Sequence, residues 1–98
     1  MSYDSSNPEH VTDRKKKARA DAETRENDIR WLMSDPRGRR IVWAFLEETG
    51  IYRSSFTGNS TTFFNEGRRD VGLKLLAEIN EIAVDQYTLM VKEAHDGR

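Results

Sequence analysis

The chain has 98 residues, with 16 basic and 17 acidic side chains and a formal net charge of −1, so it holds one small domain or one domain with a tail. That near-balance excludes a surface built throughout to grip nucleic acid or anionic membrane. The lack of cysteine excludes disulfide scaffolds, thiolate zinc sites and cysteine nucleophiles.

The two histidines, His10 and His95, lie near opposite ends with no metal-ligand spacing around them. No apolar run approaches the ~18 residues of a membrane span, and no signal-peptide pattern opens the chain. The expectation is a soluble protein, cytosolic or bound in an assembly, with no membrane contact, metal, cofactor or small-molecule substrate. Hydrophobic residues make up 36% and charged residues 34%, against about 25% charged in an ordinary globular domain. Such a chain is either partly disordered alone or completes its core with partners.

The deficit sits at the front. Residues 1–28 hold only Met1, Tyr3, Val11 and three alanines as apolar positions, and they form a charged N-terminal arm ahead of a small helical domain over 29–98. Residues 1–11, with Ser-Ser-Asn-Pro, read as a flexible segment. From Thr12 the sequence allows helix, and Ala18, Ala22, Ile29 and Met33 fall roughly on one face. This predicts a first helix over about 12–33.

Asp35 can cap a second helix, and Pro36 suits its first position because no N–H is needed there. Ile41, Val42, Trp43, Phe45 and Leu46 give this helix, 36–49, a broad apolar surface. Gly50 stands where a left-handed cap residue is wanted, with Ile51 able to fold back. Residues 51–61, containing Gly58-Asn59, read as an irregular loop without a strand. A stripe of Phe64, Val71, Leu75, Ile79, Ile82, Gln86 and Met90 predicts a third helix, about 62–94. At about 1.5 Å per residue it would be roughly 50 Å long, too long for two shorter helices to cover, so its end from Gln86 should protrude or meet another chain. Gly67 and Gly72 inside it imply a bend or a close backbone approach. The fold class expected is all-α, with three helices.

Two basic clusters are candidates for phosphate or acidic partners. The run Arg14, Lys15, Lys16, Lys17 and Arg19 reads either as such an arm or as a solvated helix face with nearby acids as counter-charges. Arg37, Arg39 and Arg40 sit at a helix N-terminus, where the dipole disfavours cations; a solvated surface is the plainer reading. In 65–70, Glu66 can pair with Arg69 and Asp70 with Lys74 as ordinary helix-surface contacts; an interface patch of Glu66, Arg68 and Arg69, with Arg53 joining Glu66, is the alternative. Trp31, Trp43, Phe45, Phe56, Phe63 and Phe64 read as core, or as interface anchors, since Trp is enriched at hot spots. Tyr87 belongs with the interface candidates. No base and nucleophile stand together and no Gly-rich phosphate cradle is present, so no enzyme is expected.

The block from Trp43 to Leu76 carries Gly50-Ile51-Tyr52-Arg53-Ser54-Ser55-Phe56, then Thr57-Gly58-Asn59-Ser60, then Phe63-Phe64-Asn65-Glu66-Gly67-Arg68-Arg69. In this third of the chain it resembles a family of small tailed-bacteriophage proteins of the short-tailed Bordetella-phage type, encoded among head and portal genes. The resemblance implies a gene neighbourhood and no site residue. With the thin core, the long protruding helix and the charged arm, the expectation is a non-enzymatic, multi-copy virion structural protein near the portal or head–tail connector, assembled in the bacterial cytoplasm. Its partners would be other virion proteins and copies of itself. The alternatives are an internal protein ejected with the genome and a small DNA-associated packaging or regulatory factor. Net charge and the absence of a helix-turn-helix spacing count against specific DNA contact.

Overall fold

A computed structural model describes residues 8–53, 58 and 61–97. These form four helices: α1 (Pro8–Ser34), α2 (Pro36–Thr49), α3 (Thr61–Ile82) and α4 (Val84–Asp96). The described residues contain no strand. The all-α expectation holds, with four helices where three were predicted.

α1 begins four residues earlier than the sequence suggested. Proline is tolerated in a first helical turn because its missing N–H has no partner there anyway. Pro8–Val11 are therefore helical rather than part of a flexible segment. The Thr12 hydroxyl donates to the Pro8 carbonyl at 2.9 Å. Residues 1–7 lie outside the described residues.

The α1–α2 turn needs a single residue. Asp35 is extended (φ −110°, ψ 133°), and its carboxylate accepts the Arg37 amide at 2.8 Å. Gly38 then passes so close to the Leu32 carbonyl that a Cβ would lie 3.0 Å from its carbon and nearer still to its oxygen. The end of α2 is as the sequence indicated. Gly50 adopts φ 79°, ψ 21°, its amide donates to the Glu47 carbonyl at 3.0 Å, and Ile51 is buried. Expectations for Ser54–Thr57 and for residues 59–60, including a core or interface role for Phe56, fall outside the described residues.

The predicted 62–94 helix is broken at Ala83, which leaves helical geometry for one residue (φ −145°, ψ 55°). Beyond it α4 does not protrude. It folds back along α2, where Met90 is 1% exposed. Each helix contributes one fully buried side chain to the centre: Met33, Leu46, Ile79 and Met90. Ile29, Val42, Ile51 and Ala83 complete the core. All buried described residues lie at Ile29 or beyond, and the first contact of α1 with another helix given by a side chain is Arg25 on Glu78, so about the first four turns of α1 project from the body. The radius of gyration is accordingly 18.3 Å, where a compact chain of this length gives about 13 Å.

The two interior glycines of α3 differ. A Cβ on Gly72 would collide with the Thr49 side chain and lie 2.6 Å from Ile51 Cγ2, so this glycine lets α3 press on the end of α2. Gly67 has nothing within 4 Å.

Candidate interaction surfaces

Three arginine–glutamate links stitch the helices and decide which charges are left for partners. Arg25 (α1) forks onto Glu78 (α3) with both bonds at 2.8 Å, and this bonding holds the Glu78 carboxyl below its usual range. Arg39 (α2) forks onto Glu93 (α4) at 2.6 and 3.1 Å and also donates to the Met33 carbonyl at 2.8 Å. The Arg39 bond likewise lowers the Glu93 pKa. Arg68 (α3) donates to the Glu48 carbonyl and reaches its carboxylate at 3.3 Å.

Arg39 is therefore corrected as a candidate for phosphate or acidic partners. It is buried and committed to Glu93 and Met33, because α4 folds back to meet it. Arg37 stays exposed but is forked on Asp35 at 2.8 and 3.2 Å. That bond and the Arg37 amide lower the Asp35 pKa to about 2. Arg40 is exposed. Arg14, Lys15, Lys16, Lys17 and Arg19 all lie exposed on the projecting part of α1, with Lys17 bonded to Asp21 at 3.1 Å. The plain counter-charge reading is thus realised for Lys17.

The aromatic residues divide three ways. Trp31 is 76% exposed and Phe63 81%. Neither is core. On α1 the buried residues Ile29 and Met33 mark one side, and Trp31, at 100° per residue, stands nearly opposite. Trp43 is half-buried between α2 and α4. It stacks on Tyr52 (centroids 5.1 Å, 27°), with His95 edge-on at 6.5 Å. Its Nε1 is buried with no hydrogen-bond partner. The Tyr52 and Tyr87 hydroxyls meet at 3.2 Å, and burial followed by this bond pushes the Tyr52 pKa up. A groove of about 390 Å³ runs along this corner, with Arg53 and Glu47 at its edge. The Arg53 guanidinium donates to the Glu47 carbonyl at 3.4 Å, and no bond from it to Glu66 forms among the described residues. The expected Glu66–Arg69 and Asp70–Lys74 pairs are also not formed among them. Glu66 is exposed and Arg69 half-buried.

The remaining aromatics join an apolar strip between α2 and α3. Ile41 (67% exposed) and Phe45 (42%) lie one turn apart on α2, and Phe64 (66%) and Val71 (54%) follow on α3. Phe45, Val71 and half-buried Leu75 line one groove with Arg25, Lys74 and Glu78. Arg68 lies over the Phe64 ring, 5.7 Å from its centroid, and ties that end of the strip to Glu48. The strip is apolar along its middle and edged by ion pairs, the usual layout of a protein interface. The sequence reads Phe45 as core or interface anchor, Ile41 as part of a broad apolar surface on α2, and Val71 as part of the stripe of the next helix; from Ile41 to Trp43 the α2 surface spans about 200°, more than one neighbouring helix can cover.

A family model described as Bbp19-like phage protein matches residues 29–92. The chain belongs to this family and is a phage protein. The match opens at Ile29, the first buried residue, and leaves the projecting arm outside. No curated protein and no solved structure matches the chain. No helix among the described residues is long and apolar enough to cross a membrane.

Proposed function

We propose that this phage protein is a non-enzymatic structural component of the virion, present in several copies around the portal or head–tail connector. The observation that carries the reading is the α2–α3 strip of Ile41, Phe45, Phe64 and Val71, left open to solvent in a chain with a small core. Four large apolar side chains on one face gain burial only from a partner, at about 25 cal/mol per Å² covered. Other virion proteins and further copies of the chain are the partners this reading names. The portal placement rests on the gene neighbourhood of the resembling family. Quantitative mass spectrometry of purified particles tests the reading. Recovery of several copies per particle supports it; absence of the chain from particles defeats it.

The exposed basic run on α1 favours a second reading, contact of the arm with packaged DNA. Phosphate contacts release counterions, so affinity would fall steeply with salt. Titration against duplex DNA at two salt concentrations checks this, and no binding at low salt removes it.

A further inference from the structure

The bend at Ala83 is not written into the local sequence. Residues Ile79-Asn80-Glu81-Ile82-Ala83-Val84-Asp85-Gln86-Tyr87 include no Gly or Pro, and alanine is the strongest helix former. No side chain caps α4 there. Helical hydrogen bonding continues on both sides: the Ala83 amide donates to the Ile79 carbonyl at 2.7 Å, and the Tyr87 amide to the Ala83 carbonyl at 3.0 Å. Straightening would give the amides of Val84, Asp85 and Gln86 helical acceptors, which the first amides of a new helix lack within it. Local preference therefore favours one continuous helix. What holds the bend is what α4 touches: the core through Met90, Arg39 through Glu93, and Tyr52 through Tyr87. None of these contacts requires α4 to come from the same chain.

We infer that the α2 surface around Arg39 and Trp43 docks α4 of a second copy, by exchange of α4 between two chains whose α3 and α4 straighten into one helix. Such an exchange is isologous: each chain gives α4 and receives α4, and the Arg39–Glu93 and Tyr52–Tyr87 contacts re-form twice across the pair. The fused helix over 61–96 would be about 54 Å long. The entropy of association makes the exchange concentration-dependent, while the helical bonds gained at both hinges favour it. The inference is independent of the proposed virion role and concerns the chain in solution.

The natural chain has no cysteine, so a double variant, Asp70→Cys with Lys92→Cys, takes two spin labels at exposed positions. A trace of labelled chain is mixed into unlabelled wild-type protein, so that only distances within one chain are read. In a straight helix these positions are about 33 Å apart; in the bent chain they are closer. The expected result is a dimer by light scattering that grows with concentration, together with the ~33 Å distance. Val84→Pro supplies the control. Proline is accepted at the first position of α4 but opposes a helix running through it, so the dimerisation constant should fall by about a hundredfold or more. Three results overturn the inference: a monomer with only the short distance at all concentrations, a dimer that keeps the short distance, or a Val84→Pro chain that dimerises as well as wild type.

Discussion

The Arg39 guanidinium, carried on α2, holds the Glu93 carboxylate of α4 at 2.6 and 3.1 Å. Its Nη1 donates to the Met33 carbonyl of α1 at 2.8 Å, so one side chain ties three helices. Arg39→Ala leaves that buried carbonyl without its donor and should destabilise the chain by about 2 kcal/mol. Arg39→Lys should recover little, because an ammonium cannot reproduce the planar fork. Urea denaturation checks both, and hydrogen exchange should show α4 loosening first.

Two substitutions in α3 should change stability in opposite directions. Gly67→Ala meets nothing within 4 Å and should stabilise by up to about 1 kcal/mol through helix propensity. Gly72→Ala drives a methyl into Thr49 and Ile51 and should destabilise by about 1–3 kcal/mol despite the same propensity gain. Melting temperatures of the two variants settle the signs. A third glycine, Gly50 at φ 79°, should cost about 1 kcal/mol when changed to Ala, because a Cβ is unfavourable there.

Acid should weaken the fold in a defined window. Asp35, Glu78 and Glu93 all have folded-state pKa values below their ordinary ones, 3.8 for Asp and 4.5 for Glu, because arginines bond their carboxylates. A lowered folded value means that the contribution is complete above the unfolded value and is lost as pH falls through the folded one. Thermal stability should hold from neutral pH to about 5, then decline from about pH 4.5 toward 2. Glu93→Gln should start from a lower plateau and decline less. A flat melting temperature down to pH 3 would contradict the ion-pair assignments.

The α2–α3 strip should matter for assembly and not for folding. Ile41 and Phe64 are each about two-thirds exposed (67% and 66%), so Ile41→Ser with Phe64→Ser should change stability by only about 1 kcal/mol. The same pair of changes should reduce incorporation of the chain into particles at least tenfold. Wild-type incorporation by the double variant would place the contact elsewhere on the surface.

How much was legible in the sequence follows from where each signal lives. α2 was readable end to end, because Asp35-Pro36 and Gly50 are local instructions. The resemblance pointed to the right family. The bend at Ala83 was not readable, since nothing at 79–87 differs from an uninterrupted helix and the cause lies in contacts with α2. The true partner of Arg39 stands 54 residues away, so composition left it looking like a free surface cation. Gly72 was flagged and explained. Gly38 gave no such signal, because it stands in the first turn of α2, and its approach to the Leu32 carbonyl follows from how α2 packs on the end of α1. Phe64 and Trp31 could be core or interface on pattern alone; only the packing of the neighbouring helices decides that they face solvent.

A density map of the intact particle, resolved around the portal and connector, tests the proposed role most directly. The account predicts several copies of the four-helix body there, each with Ile41, Phe45, Phe64 and Val71 covered by a neighbouring protein. Particles whose portal and connector density is fully assigned to other chains, with no copy of this one, would contradict it.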